Sequence, residues 1–256
     1  MGKLEGKVAI ITGAAGSIGR KVAEVFLNEG AKVSLVDIDG STLEEVKMKL
    51  EYENVLVVEA NVSDEEDVEN YVNQTLEKFG SVDILFNNAG IIGEMGPIHQ
   101  QSLENFNKVL SVNTTAVFLG MKYVIPVMKK QKRGSIINTS SVDGLRGSPN
   151  MAPYSASKHG VVGLTKTASL EVAENNIRVN SIHPAPVYGN MMKTVHQSIN
   201  KEYESQVEKK ISRKIPLGYY ANSKNIADLV LFLASDDSEY ITGSSYRVDG
   251  GMGATS

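Results

Sequence analysis

Lys7-Val8-Ala9-Ile10-Ile11-Thr12-Gly13-Ala14-Ala15-Gly16-Ser17-Ile18-Gly19 runs from a β-branched apolar stretch into a glycine-rich turn. Lys7 to Thr12 reads as a short buried strand, and Ile18 to Glu29 as an amphipathic helix. Strand, turn and helix in that order put backbone N–H groups and the positive end of a helix dipole at the turn. Its glycines let the main chain approach an anion such as a pyrophosphate. Glycine between strand and helix is also ordinary turn geometry, so position relative to the next strand has to decide. Asp37 ends that next apolar stretch 18 residues after Gly19, close to the spacing at which a carboxylate accepts hydrogen bonds from an adenosine ribose. The same carboxylate would repel a 2′-phosphate. Gly16, Ser17 and Ile38 offer no cation to bind one, although Arg20 and Lys21 stand nearby, so NAD(H) is favoured over NADP(H).

Outward from this turn the theme repeats. Ala31 to Asp37, Val55 to Glu59, Val82 to Asn87, Gly134 to Ser140, Ile177 to His183 and Tyr246 to Val248 read as strands. Between them Thr42 to Glu51, Glu65 to Phe79, Leu103 to Met128, Tyr154 to Glu174 and position 223 to Ala234 read as helices, Leu103 to Met128 as one long one. Such alternation predicts a doubly wound, Rossmann-type α/β fold, a seven-stranded parallel sheet with helices on both faces. No linker or repeat divides residues 1–256, which read as one domain. Met191 to Ala221 is polar and irregular, and suggests a lid over about 188–222.

Composition narrows the function. With 26 basic against 30 acidic side chains, a net charge of −4, there is no basic face for a phosphate backbone, so nucleic acid is not an expected partner. No cysteine is present, and His99, His159, His183 and His196 lack metal-ligand spacing, so no metal is expected. The longest apolar stretch, Leu229 to Ala234, is far shorter than the roughly 20 residues that span a bilayer. The N-terminus shows no signal core, and a cytoplasmic location is expected. A small-molecule substrate is the expected partner.

Tyr154 and Lys158 lie four residues apart on an expected helix and share a face. A phenol loses its proton near pH 10, so work at neutral pH requires its anion to be stabilised, which an ammonium and an oxidised nicotinamide can do. Tyr220 and Lys224 repeat the spacing. Context separates the pairs, because Ser140 and Ser141 precede Tyr154 at the carboxyl end of an expected strand, where open α/β sheets bind ligands. Tyr220 and Lys224 read as structural, a lid tyrosine and a helix-start lysine.

Thr12 to Gly19, Asn87-Asn88-Ala89-Gly90, Asn113, Ser141, Tyr154 with Lys158, and Val248-Asp249-Gly250-Gly251 together resemble the short-chain dehydrogenase/reductase family in its compact form, over essentially the whole chain. The resemblance implies hydride transfer between a nicotinamide and a secondary alcohol or ketone. It makes Tyr154 the proton donor or acceptor, and gives Lys158 the tasks of lowering the tyrosine pKa and holding the nicotinamide ribose. Ser141 is the donor to the substrate oxygen, and Asn113 binds a water that links Lys158 to solvent. Gly13, Gly16, Ser17, Ile18, Gly19, Asp37, Ile38, Asn61, Asn88, Ala89, Gly90 and Pro184 are implied to line the cofactor. Val62 and Val187 would border its adenine and carboxamide, or simply pack in the core. A homotetramer is implied, with Val117, Phe118 and Met121 either in its interface or internal.

Four positions depart from the family pattern. Ser17 stands where glycine is usual, Asn61 for an aspartate, Ala185 for a glycine after Pro184, and Gly189 for a threonine. Val142, Leu145, Met151, Met191 and Met192 would make an apolar substrate mouth, with Asp143 adding a polar contact. The alternatives are a non-catalytic NAD-binding sensor and a nucleotide-sugar epimerase or dehydratase. The latter usually needs a separate C-terminal domain.

Overall fold

The computed structural model describes residues 2–50, 52–200 and 204–255. Its strands are β1 (Val8–Thr12), β2 (Lys32–Asp37), β3 (Val55–Glu59), β4 (Ile84–Asn87), β5 (Gly134–Thr139), β6 (Ile177–Pro184) and β7 (Ser245–Val248). Its helices are α1 (Ser17–Asn28), α2 (Gly40–Leu50), α3 (Glu65–Phe79), α4 (Leu103–Leu110), α5 (Ala116–Gln131), α6 (Ala152–Val172), α7 (Asn190–Asn200), α8 (Glu204–Ser212) and α9 (Ser223–Ala234). The seven strands form one parallel sheet in the order β3-β2-β1-β4-β5-β6-β7. The expected architecture is therefore present.

Side chains alternate across a strand, and β1 is buried along its whole length, so its apolar run divides between two layers. Ala9 and Ile11 join Phe26 of α1 and Val230 of α9 on one face, while Ile10 joins Tyr71 of α3, Val124 of α5 and Val161 of α6 on the other. Strand order reverses beside β1, whose neighbours are β2 and β4, and this opens a crevice at the carboxyl ends of the strands.

Helix boundaries follow local chemistry. The Asp64 carboxylate accepts from the Glu66 and Asp67 N–H groups to start α3, and Gly80, at φ 82°, ends it in a conformation that glycine adopts without cost. Pro153 in the first turn of α6 starts that helix just before Tyr154, since proline needs no N–H partner there. The long helix expected over Leu103 to Met128 is interrupted: a π-helical turn over Ser111–Thr115 separates α4 from α5. The buried Asn113 side chain bonds the main chain of Ile91 there, a tertiary contact that helical periodicity does not report. Val117 and Met121 are internal, whereas Phe118 is exposed. Leu103–Gln131 is long and apolar enough to cross a membrane by length and composition, yet its buried side packs into the second core layer.

The segment expected to be irregular contains two helices, α7 and α8. Both are short and mostly polar, with only Val195 and Val207 buried among their apolar side chains, so their pattern is weak in sequence. Behind them Ile215, Tyr220, Val142, Ala185 and Met252 form a small separate core. Residues 201–203 of the lid, and Glu51, the expected end of the second helix, lie outside the described residues.

Phe26 is fully buried between sheet and helices. Phe26→Ala is expected to destabilise the fold by about 3–5 kcal/mol, read as a lower urea midpoint with the denaturant slope unchanged.

Candidate active site

The glycine turn is closed by close packing rather than by side-chain caps. A Cβ at Gly13 would stand 2.8 Å from Ala89 Cα, and one at Gly19 would stand 2.3 Å from the Gly13 carbonyl oxygen. The N-cap of α1, Gly16, makes no side-chain cap, and no acidic residue occupies the first turn, so its positive end is left for an outside anion. A dinucleotide pyrophosphate fits this cradle. Asn88 holds it from beneath, its amide donating to the Thr12 oxygen at 3.0 Å and the Gly13 oxygen at 3.2 Å. Thr12 Oγ1 in turn accepts from the N–H groups of Asn88 and Ala89 at 3.0 and 3.2 Å. Thr12 thus carries a side-chain role that its place at a strand end does not announce.

Asp37 sits beside the same turn. One carboxylate oxygen accepts from the Ala15 N–H at 2.9 Å, so this acid supports the turn. Arg20 is occupied, its Nε donating to the Ala15 oxygen at 2.7 Å. Asp39 stands close enough to feel that charge, though hydrogen bonds from Thr42 and Ser41 chiefly hold its carboxyl down at about 2. Ile38 is largely exposed, and Asn61 caps its own loop by accepting from Ser63 N–H. Val62 packs with the core around Val58 and Val68. Val187 pairs with Ala221 in an isolated bridge and packs on the opposite layer.

Two of the departures from the family pattern meet in space. A Cβ at Gly189 would stand 2.4 Å from Ser17 Oγ and 3.2 Å from Ser17 Cβ. The serine side chain therefore takes the space that a side chain at 189 would need, just before α7 begins. Separation of 172 residues along the chain hides this pairing from sequence. Ala185 instead belongs to the small core behind the lid.

Tyr154, Lys158 and Ser141 converge at the carboxyl end of β5. Lys158 Nζ donates to the Thr139 oxygen at 2.8 Å and lies 5.7 Å from the centre of the Tyr154 ring. Ser141 opens a short turn, Val142–Gly144, with its hydroxyl accepting from Asp143 N–H at 3.2 Å. Asn113 sits under the site, accepting from Ile91 N–H at 2.8 Å and donating to the Ile91 oxygen and Ser157 Oγ. Ser157 Oγ donates to the Tyr154 main-chain carbonyl oxygen at 2.7 Å. Gly90 lies between Asn113 Oδ1 and Lys158 Nζ, which a Cβ there would meet at 3.2 and 3.4 Å. Pro184 ends β6 at the same edge. Of the expected mouth residues, Val142 is buried and Leu145 and Met191 are exposed. Asp143 is mostly buried, 3.5 Å from Arg146, and its carboxyl is pushed up by that burial.

Burial dominates the electrostatics. It pushes the Tyr154 phenol up to about 12, against a hydrogen bond from Ser141, with the Asp143 charge adding to the rise. It pulls the Lys158 ammonium down to about 8. The hydrogen bond from Ser141 favours the phenolate. The second Tyr-Lys pair is split: the Tyr220 hydroxyl lies 2.9 Å from His196 Nε2 inside the lid, while Lys224 pairs with Asp228 at the surface.

A lysine pKa that is lower folded than unfolded means the unfolded chain binds more protons between about pH 8 and 10.5. Wild-type stability then rises through that window. Relative to Lys158→Met, which has no such proton, wild type should gain on the order of 1–3 kcal/mol from pH 8 to 10.5, measured by urea denaturation of both proteins.

Comparison with known proteins places this geometry. Residues 13–253 match the family model described as enoyl-(acyl carrier protein) reductase. The chain is 38% identical to levodione reductase of Leifsonia aquatica, over 97% of this chain and 94% of that one. It is 36% identical to cyclohexanol dehydrogenase of Acinetobacter sp. strain SE19, over 97% and 95%. The structure of NAD+-bound xylitol dehydrogenase superposes with a TM-score of 0.92 at 33% identity, covering 97% of this chain and all of that one. With a catalytic edge and cofactor cradle of this kind, and similarity running along nearly its whole length, the chain is an oxidoreductase that belongs to the short-chain dehydrogenase/reductase family.

Proposed function

We propose that this enzyme interconverts a secondary alcohol and its ketone with NAD(H) in preference to NADP(H), using Tyr154 as the general acid and base. The observation that carries the reading is the convergence of Tyr154, Lys158 and Ser141 where β5 meets α6, beside a glycine cradle braced by Asp37. The relatives' names, levodione reductase and cyclohexanol dehydrogenase, support a cyclic or similarly compact ketone or carbinol. Leu145 and Met191, both exposed, supply an apolar mouth that suits one.

A bound nicotinamide supplies or accepts the hydride at its C4 carbon. The chain's own residues handle the proton. In ketone reduction the Tyr154 hydroxyl donates its proton to the carbonyl oxygen as charge builds there, and the Ser141 hydroxyl donates a second hydrogen bond to the same oxygen. In alcohol oxidation the phenolate takes the carbinol proton. Lys158, buried and anchored on the Thr139 oxygen, brings positive charge beside the phenol and the ribose position. Asn113 holds the loop after β4 that closes one side of the site. Gly13, Gly16, Ser17, Ile18 and Gly19 carry the pyrophosphate, Asn88, Ala89 and Gly90 floor the cleft, and Asp37 takes the ribose hydroxyls. Assembly as a homotetramer is part of this reading, supported by Phe118 of α5 and Leu170 of α6, which lie exposed on neighbouring helices.

Tyr154→Phe is expected to lower kcat by about 100- to 10,000-fold while NADH affinity, followed by nicotinamide fluorescence, stays close to wild type. Unchanged turnover would remove Tyr154 from the reaction. Asp37→Ser is expected to raise kcat/KM with NADP(H) relative to NAD(H) by about tenfold or more, since a carboxylate beside a phosphate costs one or more kcal/mol. Because Asp37 also holds Ala15 N–H, NADH affinity should fall in the same variant.

A further inference from the structure

His183 lies on β6, fully buried, and proton transfer at Tyr154 makes no use of it. Its Nδ1 is 2.8 Å from the main-chain oxygen of Ser141, and its Nε2 is 2.9 Å from Ser181 Oγ. A carbonyl oxygen only accepts, so Nδ1 carries the proton. Burial, together with the Lys158, Arg247 and His159 charges, holds the imidazole below its ordinary range, against the hydrogen bond to Ser141. The ring is therefore neutral, and Nε2 accepts from the Ser181 hydroxyl. Ser181 is backed in turn by Ser245 Oγ at 3.2 Å on β7. The tautomer and ring orientation are thus set from both ends.

Ser141 needs such support. It lies just past the end of β5, outside the sheet ladder, in an extended conformation at the mouth of a turn only three residues long. Its carbonyl oxygen accepts from Gly144 N–H at 2.9 Å, a bond internal to that turn. The bond from His183 is the one that ties the same oxygen to the neighbouring strand. Ser140, just before it, is also tied to this region, through its N–H to the Ile182 oxygen at 2.9 Å and its hydroxyl to the Lys158 oxygen.

We infer that His183 is a positioning residue for the reaction: by holding the Ser141 carbonyl, it aims the Ser141 hydroxyl at the substrate oxygen. The inference rests on the assignment of Ser141 as a donor to that oxygen. A hydroxyl displaced by about 1 Å costs on the order of 100-fold in rate, and one partly displaced costs less.

The test compares His183→Ala, His183→Asn, His183→Gln, Ser141→Ala and the Ser141→Ala/His183→Ala double variant. Each is measured for kcat, KM, NADH affinity by fluorescence, and Tm. The Asn amide nitrogen reaches the place of Nδ1, whereas the Gln amide lies one carbon farther out. Expected are a loss in kcat of about 10- to 100-fold for His183→Ala with NADH affinity retained, and recovery of most of that loss in His183→Asn but not in His183→Gln. The double variant should be no slower than Ser141→Ala, since one residue acts through the other. If the Ala variant does not fold, the Asn and Gln variants at equal Tm carry the comparison. Wild-type kcat in His183→Ala, equal losses in Asn and Gln, or losses that multiply with Ser141→Ala would each overturn the positioning role. Wild-type kcat in Ser141→Ala would instead overturn the assignment of Ser141 and the inference with it.

Discussion

The ammonium of Lys158 is almost wholly withdrawn from water, and the Thr139 carbonyl takes water's place at 2.8 Å. An unpaired buried cation is expensive, so this bond constrains everything near it. It holds α6 across the carboxyl end of β5. That crossing brings Tyr154, one helical turn earlier, over the strand end, and leaves Ser140 and Ser141 against the same helix. Gly144 shows how close the approach is, since a Cβ there would meet Ser140 Oγ at 2.2 Å and the Lys158 oxygen at 2.7 Å. The arrangement of Tyr154, Lys158 and Ser141 thus includes one buried charge satisfied between a strand and a helix.

The same economy appears at the cofactor edge. Thr12, Asn88 and Asp37 hold the glycine turn from three elements, through bonds that each satisfy a main-chain group of the turn or of the loop after β4. Rigid support leaves the α1 N-terminus facing outward. Asp37 braces the turn through the Ala15 N–H at 2.9 Å. Ser17 and Gly189 are coupled as well, because the serine side chain fills the volume next to residue 189 and so sets how closely the start of α7 approaches the turn.

The central layers were legible in the residues because parallel strands buried on both faces read as continuous apolar runs, and their helices as periodic ones. β1 through α3 stand within a residue or two of where the pattern puts them. The lid was not legible: α7 and α8 bury few apolar side chains, so the signal that marks a helix against a core is nearly absent. The break at Ser111–Thr115 escaped for a different reason. There Asn113 reaches Ile91, a contact that spans 22 residues and has no trace in helical periodicity.

From its sequence alone the chain determined the sheet, the glycine turn beside Asp37, and the place of Tyr154 at a strand end, since local pattern and strand-end position carry those. Tertiary structure alone decided which groups share a volume: Ser17 with Gly189, Thr12 with Asn88, and His183 with the Ser141 carbonyl. The last pair is 42 residues apart and joins two strands that lie side by side only after the sheet has assembled. Spacing along a chain reports neighbours on one element, whereas hydrogen bonding and steric exclusion act between elements once packing has brought them within a few ångströms.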